Sequence, residues 1–203
     1  MPHDFQEDIK VVIGFRSSLE SETDRGAALM AAAYLEDQLL RLALDVIVDE
    51  NSLRKKLGDQ NGPLGSFSAR IDFAYALGLL PPKMHADLHL IRRIRNEFAH
   101  TMAPITFETS PNKERCFELF YVWKAEATPR ARYIAACMAA LARIHRGIAD
   151  AKRPTVPPDI EQADLLNRGK KVQKAVVDLL EVVLKQASKA PESATSEETD
   201  QTE

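Results

Sequence analysis

Apolar residues recur along this chain at helical spacing and almost nowhere alternate, so the pattern predicts helices throughout. The clearest run opens after the capping signal Ser21-Glu22-Thr23-Asp24, where Leu29, Ala32, Ala33, Leu35, Leu39, Leu42 and Val46 form a broad apolar stripe. Ala27, Ala28 and Ala31 add small side chains that let a second helix approach closely. A weaker pattern before it, roughly Asp4 to Leu19, predicts a helix at the surface or at a subunit contact. A short segment follows around Leu53 to Leu57. Gly58, Asn61-Gly62-Pro63 and Gly65 then mark a loop. Ser66 is placed to cap a helix from Phe67 to about Leu77, and Gly78 suits the left-handed position that closes it. Pro81-Pro82 starts the next helix, because proline fits a first turn. Its apolar face is Leu88, Ile91, Ile94 and Phe98, and it ends near His100, before Pro104.

Downstream the grammar is similar. Ile105 to Thr109 alternates enough for a short strand or extended arm, although one strand makes no sheet. Ser110-Pro111 reads as cap and first position of a helix through about Trp123, and Thr128-Pro129 repeats that arrangement before "RARYIAACMAALARIHRGIAD". Pro154, Pro157 and Pro158 make a break, and Ile160 to Ala187 gives a last long helix. Beyond Ala190 no large apolar residue is present, which predicts disorder. The expected architecture is all-α: an irregular multi-helix bundle over residues 1–187 as a single helical domain, followed by a disordered acidic tail over 188–203.

Charge changes the picture only when it is divided. The whole chain of 203 residues carries −3, but Glu192, Glu197, Glu198, Asp200 and Glu203 all lie in the tail, and without them the body carries +2. A near-neutral body leaves no global footprint for nucleic acid, although a local patch is compatible with it. The apolar segments are interrupted by charge every few residues, so none predicts a membrane span. The N-terminus "MPHDFQEDIK" lacks the pattern of a signal peptide. Cys116 and Cys137 have no metal or redox spacing, and a reducing cytoplasm is the expected location.

The candidate chemistry gathers in "LHLIRRIRNEFAH", Leu88 to His100. Arg95 offers a planar donor fork for phosphate, and His100 exchanges protons near neutral pH. Together, with Asn96 orienting either group, they have the parts for metal-independent RNA cleavage. Residues five apart on a helix stand about 140° apart around its axis, however, so convergence requires a frayed end or a dimer interface. The competing expectation is a buried fastening to helix-end carbonyls or to a carboxylate such as Glu36 or Asp72. Arg92 and Arg93, and the Lys170, Lys171, Lys174 cluster, are candidate contacts for a nucleic acid or a protein partner. Their alternative is a solvated face with ion pairs such as Arg92 or Arg93 with Glu97. His85 and His89 have a metal-compatible spacing, but the sequence assigns no third ligand, and Asp87 between them points elsewhere. They read as exposed helix polarity, with no metal or cofactor expected. Phe117, Phe120, Tyr121 and Trp123 fit core or dimer contact better than base stacking.

Two resemblances add to this. Arg95, a polar residue, three more residues and His100 resemble the motif of the HEPN superfamily, helical domains that often dimerise and include many ribonucleases. More extensively, "DRGAALMAAAYLEDQLLRLAL", "GPLGSFSARIDFAYALGLL" and "LHLIRRIRNEFAH", in that order, resemble the MltR family, named for the mannitol operon repressor. That likeness spans about Asp24 to His100. It implies a small all-helical, dimeric transcriptional regulator of a sugar-uptake or related operon, acting through a protein partner and with DNA as a further candidate. The last long helix is a candidate for the dimer interface. The alternative is a HEPN-type ribonuclease using Arg95, Asn96 and His100 on RNA.

Overall fold

The computed structural model describes residues 5–122 and 127–187, and side chains within 10–122 and 127–185. Among the described residues there are eight α-helices and no strand. They are α1 (Phe5–Ser21), α2 (Asp24–Asp45), α3 (Asn51–Gly58), α4 (Phe67–Ala76), α5 (Pro82–His100), α6 (Asn112–Glu118), α7 (Pro129–Ala149) and α8 (Gln162–Ala187). Two compact units are defined, Met1–Thr155 and Val156–Glu203. The expected tail disorder and Trp123 lie outside the described residues.

In the first unit α2 is central, packing against α7, α5, α4 and α1, and touching α3. Its start follows the sequence signal: the Thr23 hydroxyl accepts a hydrogen bond from the Gly26 amide. The buried stripe is rotated slightly from the expected one. Ala27, Ala28, Ala31, Ala32, Leu35, Leu39, Leu42 and Ala43 are enclosed, whereas Ala33 is exposed and Leu29 and Val46 are half-buried. Small alanines determine the phase because α7 comes close there, with the Tyr133 hydroxyl donating to the Ala28 carbonyl at 3.0 Å. Gly147 of α7 serves the same approach, since an added Cβ would sit 3.0 Å from Leu42 Cδ1. Full burial of leucines such as Leu35, Leu39 and Leu42 contributes about 1.5–3 kcal/mol each.

The α4–α5 hairpin follows the expected design. Ser66 caps α4 by accepting from the Ala69 amide, Gly78 turns the chain at φ +72°, and Pro82 opens α5. Leu88, Ile91, Ile94 and Phe98 are all fully buried, as their spacing predicts. Ile105–Thr109 is not a strand. Thr106 and Thr109 close a turn through their hydroxyls, and the Phe107 amide donates to Asp24 at 3.0 Å. The next helix begins at Asn112 rather than at Pro111, with the Ser110–Pro111 peptide cis and no side-chain cap. It stops at Glu118, well short of Trp123. Tertiary partners end it: Arg132 takes the carbonyls of Cys116, Phe117 and Leu119, while Asp87 takes the amides of Phe120 and Tyr121.

Arginines close several other helix ends in the same way. Arg25 donates to the Phe98, Thr101 and Ala103 carbonyls at the end of α5. Arg130 holds Asp24 and the Leu19 and Glu22 carbonyls at the α1–α2 junction, and Arg54 reaches the Leu44 carbonyl at the end of α2. The last carbonyls of a helix have no amide one turn ahead within it, and a guanidinium satisfies several such groups at once. Cys116 and Cys137 are buried free thiols, and burial pushes the Cys116 thiol up to about 12. Neither is a reactive thiolate.

The second unit contains α8, whose described side chains are all exposed. Leu165, Val172, Val176, Leu179 and Val183 lie along it at spacings of seven, four, three and four, the repeat of a helix that pairs through one seam.

Candidate functional site

The polar groups that carry chemistry lie mainly along α5, and its two ends treat them differently. At the C-terminal end, Arg95 turns toward α2 and α4. Its Nη2 donates to Glu36 Oε2 at 3.2 Å, and its guanidinium lies 6.0 Å from the Phe67 ring centre. Both partners in the ion pair are about a quarter exposed. His100, exposed in the last turn of α5, lines an open depression of about 310 Å³ with Arg93, Asn96, Glu97, Thr101 and Arg115. Asn96 therefore accompanies His100, while Arg95 faces Glu36. Glu36 was one of the two carboxylates that the sequence offers as a fastening for Arg95.

Arg92 and Arg93 do not pair with Glu97 in the way local spacing suggests. Glu97 instead engages Arg115 at 3.4 Å and the Thr101 hydroxyl at 3.1 Å. Arg92 and Arg93 line a second open groove, of about 520 Å³, with Ala86, His89, Leu90 and Glu118. Lys170, Lys171 and Lys174 are exposed on α8, in the other unit. Phe117 and Phe120 are half-exposed, under Arg132 and Lys83 respectively.

Near its N-terminal end, α5 presents a convergent group. His85 and His89, one turn apart, both meet Asp72 of α4. His85 Nε2 is 2.9 Å and His89 Nε2 is 3.0 Å from Asp72 Oδ1, and the two ring nitrogens are 3.2 Å from each other. Tyr75 stacks on His85 with ring centres 4.3 Å apart, and His89 meets His85 edge-on. The hydrogen bond from His85 chiefly, with His89 adding to it, holds Asp72 below the usual carboxylate range against the opposing cost of burial. The histidines are not simple exposed polarity. Asp72 supplies the third polar atom that spacing along one helix does not show. Its signal is the hairpin: folding back at Gly78 sets Asp72 opposite His85. Asp87 points elsewhere, as expected, into the core, where burial raises its carboxyl above the ordinary value against the amides of Phe120 and Tyr121.

Comparison with known proteins gives fold information. No protein-family model matches the chain, and no curated protein matches it in sequence. Among solved structures it is similar to a chain in the X-ray structure of the MtlR–HPr complex from Escherichia coli. The match covers 64% of this chain and 98% of that one, with a TM-score of 0.53 and 20% identity. The class defined is thus an all-helical bundle of MtlR-like fold, which is consistent with the resemblance read from the sequence. No described helix is long and apolar enough to cross a membrane.

Proposed function

We propose that this chain is an MltR-like regulator, a repressor of a sugar-uptake or related operon that acts through contacts with another protein. The observation that carries this reading is the fold shared with a chain of a protein–protein complex, MtlR with HPr. The disposition of the arginines supports it. Arg25, Arg54, Arg130 and Arg132 are engaged by helix-end carbonyls, and Arg95 and Arg115 by carboxylates. A guanidinium so engaged is a poor phosphate clamp, which favours a protein partner over direct capture of DNA or RNA. RNA cleavage requires Arg95 and His100 to act on one phosphate, and the Arg95–Glu36 pair opposes that. The exposed seam of α8 supports a homodimer formed through this helix, and the two buried free thiols, Cys116 and Cys137, fit a reducing cytoplasm.

The test is calorimetric titration of the full chain with the HPr protein encoded in the same genome, alongside a DNA duplex from the upstream region of its own gene. Saturable binding to HPr, with DNA binding absent at physiological salt, is the expected result. Tight DNA binding that weakens steeply with salt, without HPr binding, would replace this reading with direct repression.

A further inference from the structure

We propose that Asp72, His85 and His89 form a binding site for a divalent transition-metal ion of the zinc class. The argument starts from the hydrogen bonds that these groups cannot all make. Asp72 Oδ1 of an ionised carboxylate only accepts, so contact with both histidines requires a proton on each Nε2. The two Nε2 atoms are themselves 3.2 Å apart, and two N–H groups facing each other there would repel. Removing either proton relieves that contact but sets a nitrogen lone pair against the carboxylate oxygen. Three mutual contacts at 2.9, 3.0 and 3.2 Å therefore cannot all be hydrogen bonds. A cation among them satisfies all three lone pairs together.

The distances fit such an ion. With bonds of about 2.1 Å, adjacent donors are separated by about 3.0 Å in an octahedron and about 3.4 Å in a tetrahedron. The three donor atoms of Asp72, His85 and His89 all lie within 4.8 Å of one another. Two imidazoles and one carboxylate on a single side of the ion suit zinc, cobalt or nickel, whereas magnesium and calcium prefer oxygen donors throughout. The site is also held in place. The spacing of one turn on α5 aligns the two rings, Tyr75 stacks on His85, and the Gly78 turn brings α4 alongside. Asp72 is 57% exposed, so the remaining coordination positions face solvent, where water or a partner's side chain completes the shell. Lys83 shares the first turn of α5, and the positive end of that helix also opposes a cation. An affinity in the micromolar range is expected, weaker than that of a closed structural zinc site. This site does not depend on the regulatory reading.

The test is calorimetric titration of untagged, chelator-stripped full-length protein with zinc chloride. The expected result is one ion per chain and a zinc-dependent rise in Tm. His85→Ala, His89→Ala and Asp72→Asn should each weaken binding at least tenfold, an effect of about the size known for disturbing ligand shells. His100→Ala should leave it unchanged. Cobalt added to the wild-type protein provides a readout independent of any variant's folding: its visible absorption should show nitrogen and oxygen donors. Absence of saturable zinc binding, or binding that persists in a folded His85→Ala/His89→Ala double variant, would overturn the assignment.

Discussion

The two ends of α5 carry similar side chains in opposite arrangements. Near the C-terminus Arg95 and His100 are separated by five positions and diverge, one toward Glu36 and the other toward an open depression. Toward the N-terminus His85 and His89 are separated by four and converge on Asp72. The C-terminal pair is the one whose residue order resembles a known motif. The N-terminal pair has the geometry of a ligand site. Convergence follows from helical periodicity and from a neighbouring helix that supplies a third group, and a motif's residue order guarantees neither. A second difference lies in satisfaction. Arg95 has found an internal carboxylate, whereas the Asp72–His85–His89 triangle cannot satisfy itself.

The largest expected effect concerns the buried face of α5 behind the two histidines. Asp87→Ala leaves the Phe120 and Tyr121 amides without their acceptor and should lower stability by about 3 kcal/mol in urea unfolding. This position also has a pH signature. The folded-state carboxyl lies above the ordinary 3.8, so its contribution is most favourable below that value and declines as pH rises through the folded value. The stability difference between wild type and Asp87→Asn should therefore shrink with rising pH over that window, whereas a pH-independent difference would contradict the assignment.

Arg25→Met, which uncaps the end of α5, should cost about 2 kcal/mol, whereas the same change at exposed Arg93 should stay within about 0.5 kcal/mol. Equal effects would erase the distinction between fastening and surface arginines. Gly78→Ala should cost about 1 kcal/mol through its backbone conformation alone, because nothing lies within 4 Å of the added Cβ. It tests the turn that brings Asp72 to the histidines. At the C-terminal end, Arg95→Met should cost about 1 kcal/mol and His100→Ala less than about 0.5 kcal/mol. RNA incubated with either folded variant should remain as intact as with wild type. Cleavage by wild type that His100→Ala abolishes would return this end of the helix to catalysis.

Most of the fold was legible because its signals are local. Thr23, Ser66 and Thr128 cap the helices they precede, Gly78 takes the left-handed turn, and the Leu88–Phe98 face is core. The errors occur where tertiary contacts override local grammar. α6 stops early because Arg132 and Asp87 capture its last carbonyls and the amides beyond them, and neither residue is close in sequence. The exposed Ala33 and buried Ala28 are indistinguishable by composition, and only the close approach of α7 separates them. Of the candidate site, the Glu36 partner of Arg95 and the pairing of His85 with His89 were within reach. Asp72 was not assigned to the histidines because its place depends on pairing two helices across a turn, which periodicity along one helix does not encode.

The contrast between the two ends of α5 is tested most directly by anomalous X-ray diffraction at the zinc edge, from crystals of the untagged chain grown with zinc. A peak enclosed by Asp72 Oδ1, His85 Nε2 and His89 Nε2, with none at His100, is the predicted result. A peak at His100 without one at the triad, or none at either, would contradict it.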